Sequence, residues 1–194
     1  MNLKMLPLLL GAACGLSACA SVPTRYLTLT PETPAAREGS FGTLQGKGLP
    51  LLVAHVQMPA DLDRLYLTSE QNRNRLKVAD HARWIAPLGE MAQRVLAQDM
   101  ATLLPYKTVF MPGDPIPHGA YLLLQVVIQR FMPTESGQVE LNADWFVRNT
   151  STQRILAQGR SSLRTPSRQR PRDQAAAMSQ LLAKLAQNVA AHLR

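Results

Sequence analysis

A run of apolar residues set between two prolines constrains the fold of this chain more than any other feature of its sequence. Between Pro87 and Pro105 the apolar side chains recur every three or four positions, which places them on one face of a helix. They are Leu88, Met91, Ala92, Val95, Leu96, Met100 and Leu103. Pro87 suits the first helical position, and Glu90 and Arg94 form a favourable i,i+4 pair on the polar side. The sequence therefore predicts an amphipathic helix whose apolar face needs a second layer to cover it.

Strand-like segments lie on both sides of this helix, and a second helix closes the chain. Alternating or short apolar runs predict strands over residues 26–29, 51–58, 65–68, 76–78, 121–131, 138–148 and 155–163. Every second side chain from Val139 to Trp145 faces the same side, and residues 134–137 suit a hairpin turn before them. The last helix is predicted from about 173 to 192. This order predicts a single-domain α+β fold, an antiparallel sheet of about five or six strands with two long helices packed on one face.

The N-terminus has the pattern of a bacterial lipoprotein leader. Lys4 precedes an apolar stretch of about a dozen residues, which fits a signal peptide and is too short to span a bilayer. The stretch ends at Leu16-Ser17-Ala18-Cys19, where small residues precede a thiol that can accept diacylglycerol. Cys14 is a weaker candidate, because no leucine lies three residues before it. We therefore expect cleavage before Cys19 and lipidation of that cysteine, a stable membrane anchor.

Cleavage at that point predicts both the organisation and the location of the chain. The expected parts are a signal peptide over 1–18, a lipidated tether over 19–25 and one periplasmic domain over 26–194. Ala20 follows the cysteine where an aspartate usually retains such proteins in the inner membrane, so the outer membrane is expected. The net charge of +8 is mostly an excess of arginine. An exported lipoprotein does not meet nucleic acid, so anionic headgroups, an acidic partner or simple solubility are the explanations that remain open.

The sequence contains no recognisable catalytic constellation, and we expect neither an enzyme nor a resident cofactor or metal. Asp61 and Asp63 could hold a cation beside Arg64, although a polar corner between strands is the favoured interpretation. Trp84, with Arg83, could either fasten the chain onto the first helix or form an exposed interface anchor.

A basic run precedes the last helix. It consists of Arg164, Arg168, Arg170 and Arg172, which we place in a polar linker. These side chains could contact anionic lipid headgroups, or they could simply be solvated.

Several segments, taken in order, resemble the ABC-type transport auxiliary lipoprotein component family. They are residues 26–31, 56–59, 62–64, 83–88, 94–97, 130–131 and 139–145. The Leu62-Asp63-Arg64 and Arg83-Trp84-Ile85-Ala86-Pro87-Leu88 pieces are the more specific ones. Residues 58–61 depart from the family pattern, which often has a tyrosine or a similar residue before the Leu-Asp-Arg piece.

The resemblance implies a non-enzymatic accessory role in lipid transport between the two membranes. Such lipoproteins accompany mammalian-cell-entry (MCE) domain proteins, and the chain would dock their conduit at the outer membrane. Asp63, Arg64, Arg83 and Trp84 are the candidate partner-binding residues, and ring-like self-association would suit a symmetric conduit. A carrier of lipids or other hydrophobic ligands is the alternative, which predicts an apolar cavity between sheet and helices. A lipoprotein hydrolase is a third possibility without a visible nucleophile and base.

Overall fold

A computed structural model describes residues 22–32, 48–72, 74–105, 107–115 and 118–193. The predicted signal peptide and Cys19 lie outside the described residues. The strands are β1 (Arg25–Leu27), β2 (Leu51–Val53), β3 (Tyr66–Asn72), β4 (Arg75–Trp84), β5 (Val109–Phe110), β6 (Leu122–Pro133), β7 (Gln138–Asn149) and β8 (Ile155–Pro166). The helices are α1 (Leu88–Leu103) and α2 (Pro171–Ala191), close to the two predicted helices.

The strands form two sheets, so the α+β class is confirmed but the single antiparallel sheet is wrong. One sheet has the order β1-β4-β3 and the other the order β5-β2-β6-β7-β8. β1 runs parallel to β4, and β2 runs parallel to both β5 and β6, whereas the remaining pairs are antiparallel. The physical reason is the connection: β2 reaches β6 only after the chain has passed through the β3–β4 hairpin and α1, and such crossovers produce parallel pairs.

The core lies on the apolar face of the five-stranded sheet. In β7 the buried side chains are Val139, Leu141, Ala143, Trp145 and Val147, which confirms the predicted alternation. They belong to one cluster with the apolar faces of both helices. α2 contacts β6, β7 and β8, while α1 contacts α2, β2 and β5. The apolar stripe that the sequence placed between the two prolines is therefore covered by a second helix as well as by strands.

β2 is much shorter than predicted, because regular pairing stops after Val53. The chain nevertheless continues beside β6: the Ala54 N–H donates to the Leu124 carbonyl over 2.9 Å, and Gln57 forms an isolated bridge with Val127. The buried Gln93 of α1 donates to the Val53 carbonyl over 2.9 Å, so a helix side chain satisfies the last acceptor of the strand.

The hairpin between β6 and β7 forms at the predicted turn. The Thr134 N–H donates to the Gln138 carbonyl over 2.7 Å, and Gly137 adopts φ +76°, a conformation that glycine reaches without strain. Within the described ranges, neither helix is long and apolar enough to cross a membrane.

Candidate functional site

The fold brings together the two motifs that the sequence singled out, the Leu62-Asp63-Arg64 piece and the Arg83-Trp84 piece. Asp63 Oδ1 accepts the backbone N–H of Gly89 in the first turn of α1 over 2.9 Å. The backbone N–H of Trp84 donates to the Leu65 carbonyl over 2.7 Å. Residues far apart in sequence thus meet where β4 ends and α1 begins.

The Leu-Asp-Arg piece is a polar corner, as the favoured interpretation predicted. The Leu62 and Asp63 N–H groups both donate to the Pro59 carbonyl, and Arg64 Nε donates to the Ala60 carbonyl over 3.1 Å. Asp63 satisfies one of the helix N–H groups that have no partner within the helix, and its negative charge suits that terminus. In the described residues no group of three or more potential metal ligands occurs here or elsewhere.

An exposed surface of mixed apolar and cationic character lies at this end of the three-stranded sheet. Arg83 lies directly opposite Tyr26 of β1 and Tyr66 of β3 in the two strand registers, so the three side chains share one face. Two exposed aliphatic residues, Leu65 and Ile85, lie directly before β3 and after β4. We call this set of five residues the tyrosine–arginine surface.

Exposure within the tyrosine–arginine surface is high for residues of this type. Tyr26 is 69% exposed and Ile85 is 67% exposed. The Arg83 guanidinium stacks over the Tyr66 ring with its central carbon 4.8 Å from the ring centroid, an arrangement worth about 0.5–1 kcal/mol at exposed sites. Clustered exposed apolar side chains mark interaction sites, and tyrosine and arginine are enriched in protein interfaces.

Trp84 does not belong to this surface, and its burial excludes the exposed interface anchor, one of the two interpretations that the sequence left open. Its side chain is only 2% exposed and packs in the core. The alternation of β4 explains this outcome, because Ala82 and Trp84 face inward while Arg83 between them faces solvent. Reasoning from the sequence also did not identify the two tyrosines and the two aliphatic residues around Arg83 as members of a site. The one available signal was the exposed–buried alternation of Tyr26 and Leu27.

The four arginines assigned to one linker occupy three different elements. β8 continues to Pro166, so Arg164 is a strand residue, and its Nε lies 2.9 Å from Glu140 Oε1. Arg168 and Arg170 lie in the linker, and Arg172 lies in the first turn of α2. These last three side chains are exposed.

Ion pairs connect side chains on the polar face of the five-stranded sheet. Arg130 lies 2.6 Å from Glu70 of β3 and 2.7 Å from Glu140 of β7, and so links the two sheets. A second pair joins Arg160 Nε to Asp144 Oδ1 over 2.7 Å. The hydrogen bond from Arg160 is the main reason that the pKa of Asp144 lies below its ordinary value, and the same bond raises the pKa of Arg160.

A groove of about 540 Å³ lies at the other side of the three-stranded sheet, bounded by β3, β4, the β6–β7 turn and the linker before α2. Its lining includes Glu70, Lys77, Asp80 and His81, and it is open to solvent. This open lining, in which charged side chains are mixed with apolar ones such as Val22 and Leu67, does not match the predominantly apolar cavity that a hydrophobic-ligand carrier requires. The space between the five-stranded sheet and the helices is instead occupied by closely packed core side chains.

Known proteins share this fold. A crystal structure of an uncharacterised protein is similar at 16% sequence identity with a TM-score of 0.71, covering 89% of this chain and 100% of that chain. A protein of Xanthomonas campestris assigned to the DUF330 family is similar at 16% identity with a TM-score of 0.66, covering 86% and 93% of the two chains. At this level of identity the likeness shows the fold alone. No curated protein matches the chain.

The family comparison gives more than the fold. The family model described as ABC-type transport auxiliary lipoprotein component matches residues 27–190. The match covers most of the chain and includes both motifs that meet at the tyrosine–arginine surface. The resemblance seen in the sequence is therefore confirmed, and the chain belongs to the ABC-type transport auxiliary lipoprotein component family.

Proposed function

We propose that this chain is a non-enzymatic accessory lipoprotein of an MCE-protein, ABC-type intermembrane lipid transport system. In this proposal Cys19 carries the lipid that anchors the chain to the periplasmic face of the outer membrane. The domain docks the end of the lipid conduit there. The family supports the transport-auxiliary role, and the sequence of the leader supports the anchor.

The single observation that carries the docking role is the tyrosine–arginine surface. It combines two tyrosines, two aliphatic side chains and a cation at the junction of the two family-like motifs. Such side chains supply large contact areas at protein interfaces, and aromatic and arginine residues carry much of the binding energy there. Within this proposal Arg83 and the exposed Arg64 contact the partner, and Asp63 positions the start of α1.

The basic residues around the linker have a separate role in this proposal. Arg168, Arg170 and Arg172 are exposed and contact anionic headgroups, each contributing about 1 kcal/mol near such a surface. Arg164 is excluded, since its guanidinium pairs with Glu140. Replacing the three arginines with glutamine should lower the affinity for anionic vesicles, and unchanged affinity would end this part of the proposal.

The docking role is tested by affinity capture of the lipidated chain from crosslinked membranes, followed by mass spectrometry. The test variant combines Arg83→Glu and Ile85→Ser, which replace a cation and an exposed apolar side chain. The matched control combines Arg154→Glu and Ile155→Ser, which change the same residue types at the exposed start of β8. The proposal expects an MCE-domain protein with the wild type and the control, and its loss with the test variant.

Two other results would contradict parts of this proposal, the first the assigned contact surface and the second the docking role itself. Equal recovery of the MCE-domain protein with test and control variants would place the contact elsewhere. Bound lipid without such a protein would favour a carrier instead. Self-association into a ring would suit a symmetric conduit, and sedimentation showing only monomer at high concentration would count against that stoichiometry.

A further inference from the structure

The β3–β4 hairpin carries a second group of exposed apolar and basic residues, at the end opposite the tyrosine–arginine surface. Leu76 is 43% exposed and Val78 is 49% exposed, and strand alternation places them on one face of β4. Arg75 and Lys77 alternate with them and are also exposed. We call these four residues the hairpin tip.

The described chain before β1 runs toward the end of the three-stranded sheet at which β4 begins, the end of the hairpin tip. β1 runs parallel to β4, with Arg25 opposite Ala82, so the chain before Arg25 approaches from the side on which β4 begins. Val22 lines the same groove as Lys77, Ala79 and His81, so the approaching chain runs along the groove that borders β4. Cys19 is three residues before Val22, so an extended tether reaches about 10 Å further at most.

Other basic residues lie within or next to the segments that line the same groove. Its wall includes Gln169 and Pro171 of the segment before and into α2, and the exposed Arg168 and Arg170 are their immediate neighbours. Arg25 also lines it. Of the acidic residues that line the groove, Asp80 lies farther from the hairpin turn along β4 than Arg75 and Lys77 do, and Glu135 lies on the β6–β7 turn. Glu70 lies directly opposite Leu76, and its charge is paired with Arg130. The groove therefore carries charges of both signs, while the exposed cations Arg75 and Lys77 flank Leu76 and Val78 at the hairpin tip.

We infer that the hairpin tip is a second membrane contact, in which Leu76 and Val78 enter the headgroup region of the bilayer that holds the lipid anchor. This inference rests on the proposed lipidation of Cys19. Apolar side chains on one strand face lose water in the interface, while long basic side chains on the other face keep their charges at the headgroups. Basic residues near an anionic surface add to the attraction.

The contact also orients the domain. Along β4, Arg83 is seven residues from Leu76, a distance of about 23 Å in a strand. With the hairpin tip on the membrane, the tyrosine–arginine surface is held away from the bilayer and faces the periplasm. One anchor alone would leave the domain free to rotate, whereas two contacts fix which end is presented to a partner.

The test uses the full lipidated chain in liposomes of phosphatidylethanolamine and phosphatidylglycerol, with some lipids brominated near the headgroup. An environment-sensitive fluorophore is attached after Val78→Cys or, as a matched control, after Leu156→Cys. Leu156 is 53% exposed, and it lies near the end of the five-stranded sheet remote from the β6–β7 turn that borders the groove. We expect quenching at position 78 to exceed that at position 156 by about twofold or more.

Charge reversal sharpens the same measurement. Arg75→Glu combined with Lys77→Glu should reduce quenching at position 78, whereas Arg154→Glu should leave it unchanged. Equal quenching at positions 78 and 156, or no quenching at 78, would overturn the inference. A fluorescence shift that depends on protein density instead of on brominated lipid would also overturn it, in favour of contact between copies.

No conduit protein is present in these liposomes, so the result is independent of the docking role. The intact mass of the purified chain reports lipidation of Cys19 separately. Quenching at position 78 combined with failed capture of an MCE-domain protein would leave the hairpin contact standing while the docking role falls.

Discussion

The two sheets of this domain differ in what their side chains do. The five-stranded sheet buries a continuous apolar face against the helices and satisfies its polar face with ion pairs. The three-stranded sheet also buries Leu67, Ala82 and Trp84 in this core, but it exposes aromatic and aliphatic side chains at one end and aliphatic ones at the other. The first arrangement contributes stability, whereas the second leaves burial incomplete in the isolated chain. Exposed apolar groups of this kind lower their free energy when another surface covers them.

The strongest way to test this division is a pair of truncations, one in each sheet. Leu141→Ala should lower the free energy of unfolding by about 2–5 kcal/mol, since a fully buried leucine leaves a cavity. Ile85→Ala, at an exposed residue of the tyrosine–arginine surface, should change it by about 0.5 kcal/mol or less. Chemical denaturation followed by circular dichroism measures both. Similar losses for the two variants would mean that the exposed residue of the tyrosine–arginine surface contributes as much to stability as a buried residue of the five-stranded sheet.

Breaking the ion pairs that connect the two sheets through Arg130 should have a smaller effect on the free energy of unfolding. Arg130→Leu removes the cation shared by two partly buried carboxylates, which takes this partner from Glu70 and leaves Glu140 with Arg164, and should cost about 1–3 kcal/mol. Arg160→Leu is the matched control, because it breaks a more exposed pair on the same sheet face and should have little effect. Denaturation midpoints of the two variants compare them directly. Equal shifts of the two midpoints would show that the Arg130 ion pairs contribute no more to stability than the exposed Arg160 pair does.

The smallest expected effect is the pH dependence of the stability that the Asp144–Arg160 pair contributes. The pKa of Asp144 is lower in the folded chain than the ordinary value of about 3.9 expected after unfolding. Its stabilising contribution is therefore complete above that ordinary value and is lost as the pH falls through the lower, folded value. The melting-temperature difference between wild type and Asp144→Asn should stay constant from neutral pH to about pH 4 and narrow below it. A difference that instead widens on acidification would contradict the direction of the shift.

Local periodicity was sufficient to predict both helices and the three long strands of the larger sheet, whereas β5 was not predicted and β2 was predicted too long. Both helices, the β6–β7 hairpin and the inward face of β7 follow from side-chain spacing, because burial on one face leaves a repeating pattern. The division into two sheets could not be predicted in this way. β1 meets β4, and β2 meets β6, through pairings between distant segments that no local pattern specifies.

The candidate site was predicted only in part, for a related reason. The motif around Arg83 was found, but the sequence did not separate the inward Trp84 from the outward Arg83. Tyr26 and Tyr66 join Arg83 through strand register, which becomes visible only when β1, β4 and β3 are placed side by side. The hairpin tip was likewise not predicted from the sequence, because nothing in the sequence pattern distinguishes the exposed Leu76 and Val78 from ordinary strand residues.

The central claim is that the two ends of the three-stranded sheet face different neighbours. Photocrosslinking in living cells tests it most directly, with a photoreactive amino acid placed at position 76 in one strain and at position 85 in another. The account predicts adducts with an MCE-domain protein from position 85 and adducts with phospholipid from position 76. Lipid adducts from position 85 together with protein adducts from position 76 would contradict it, and so would the same adducts from both positions.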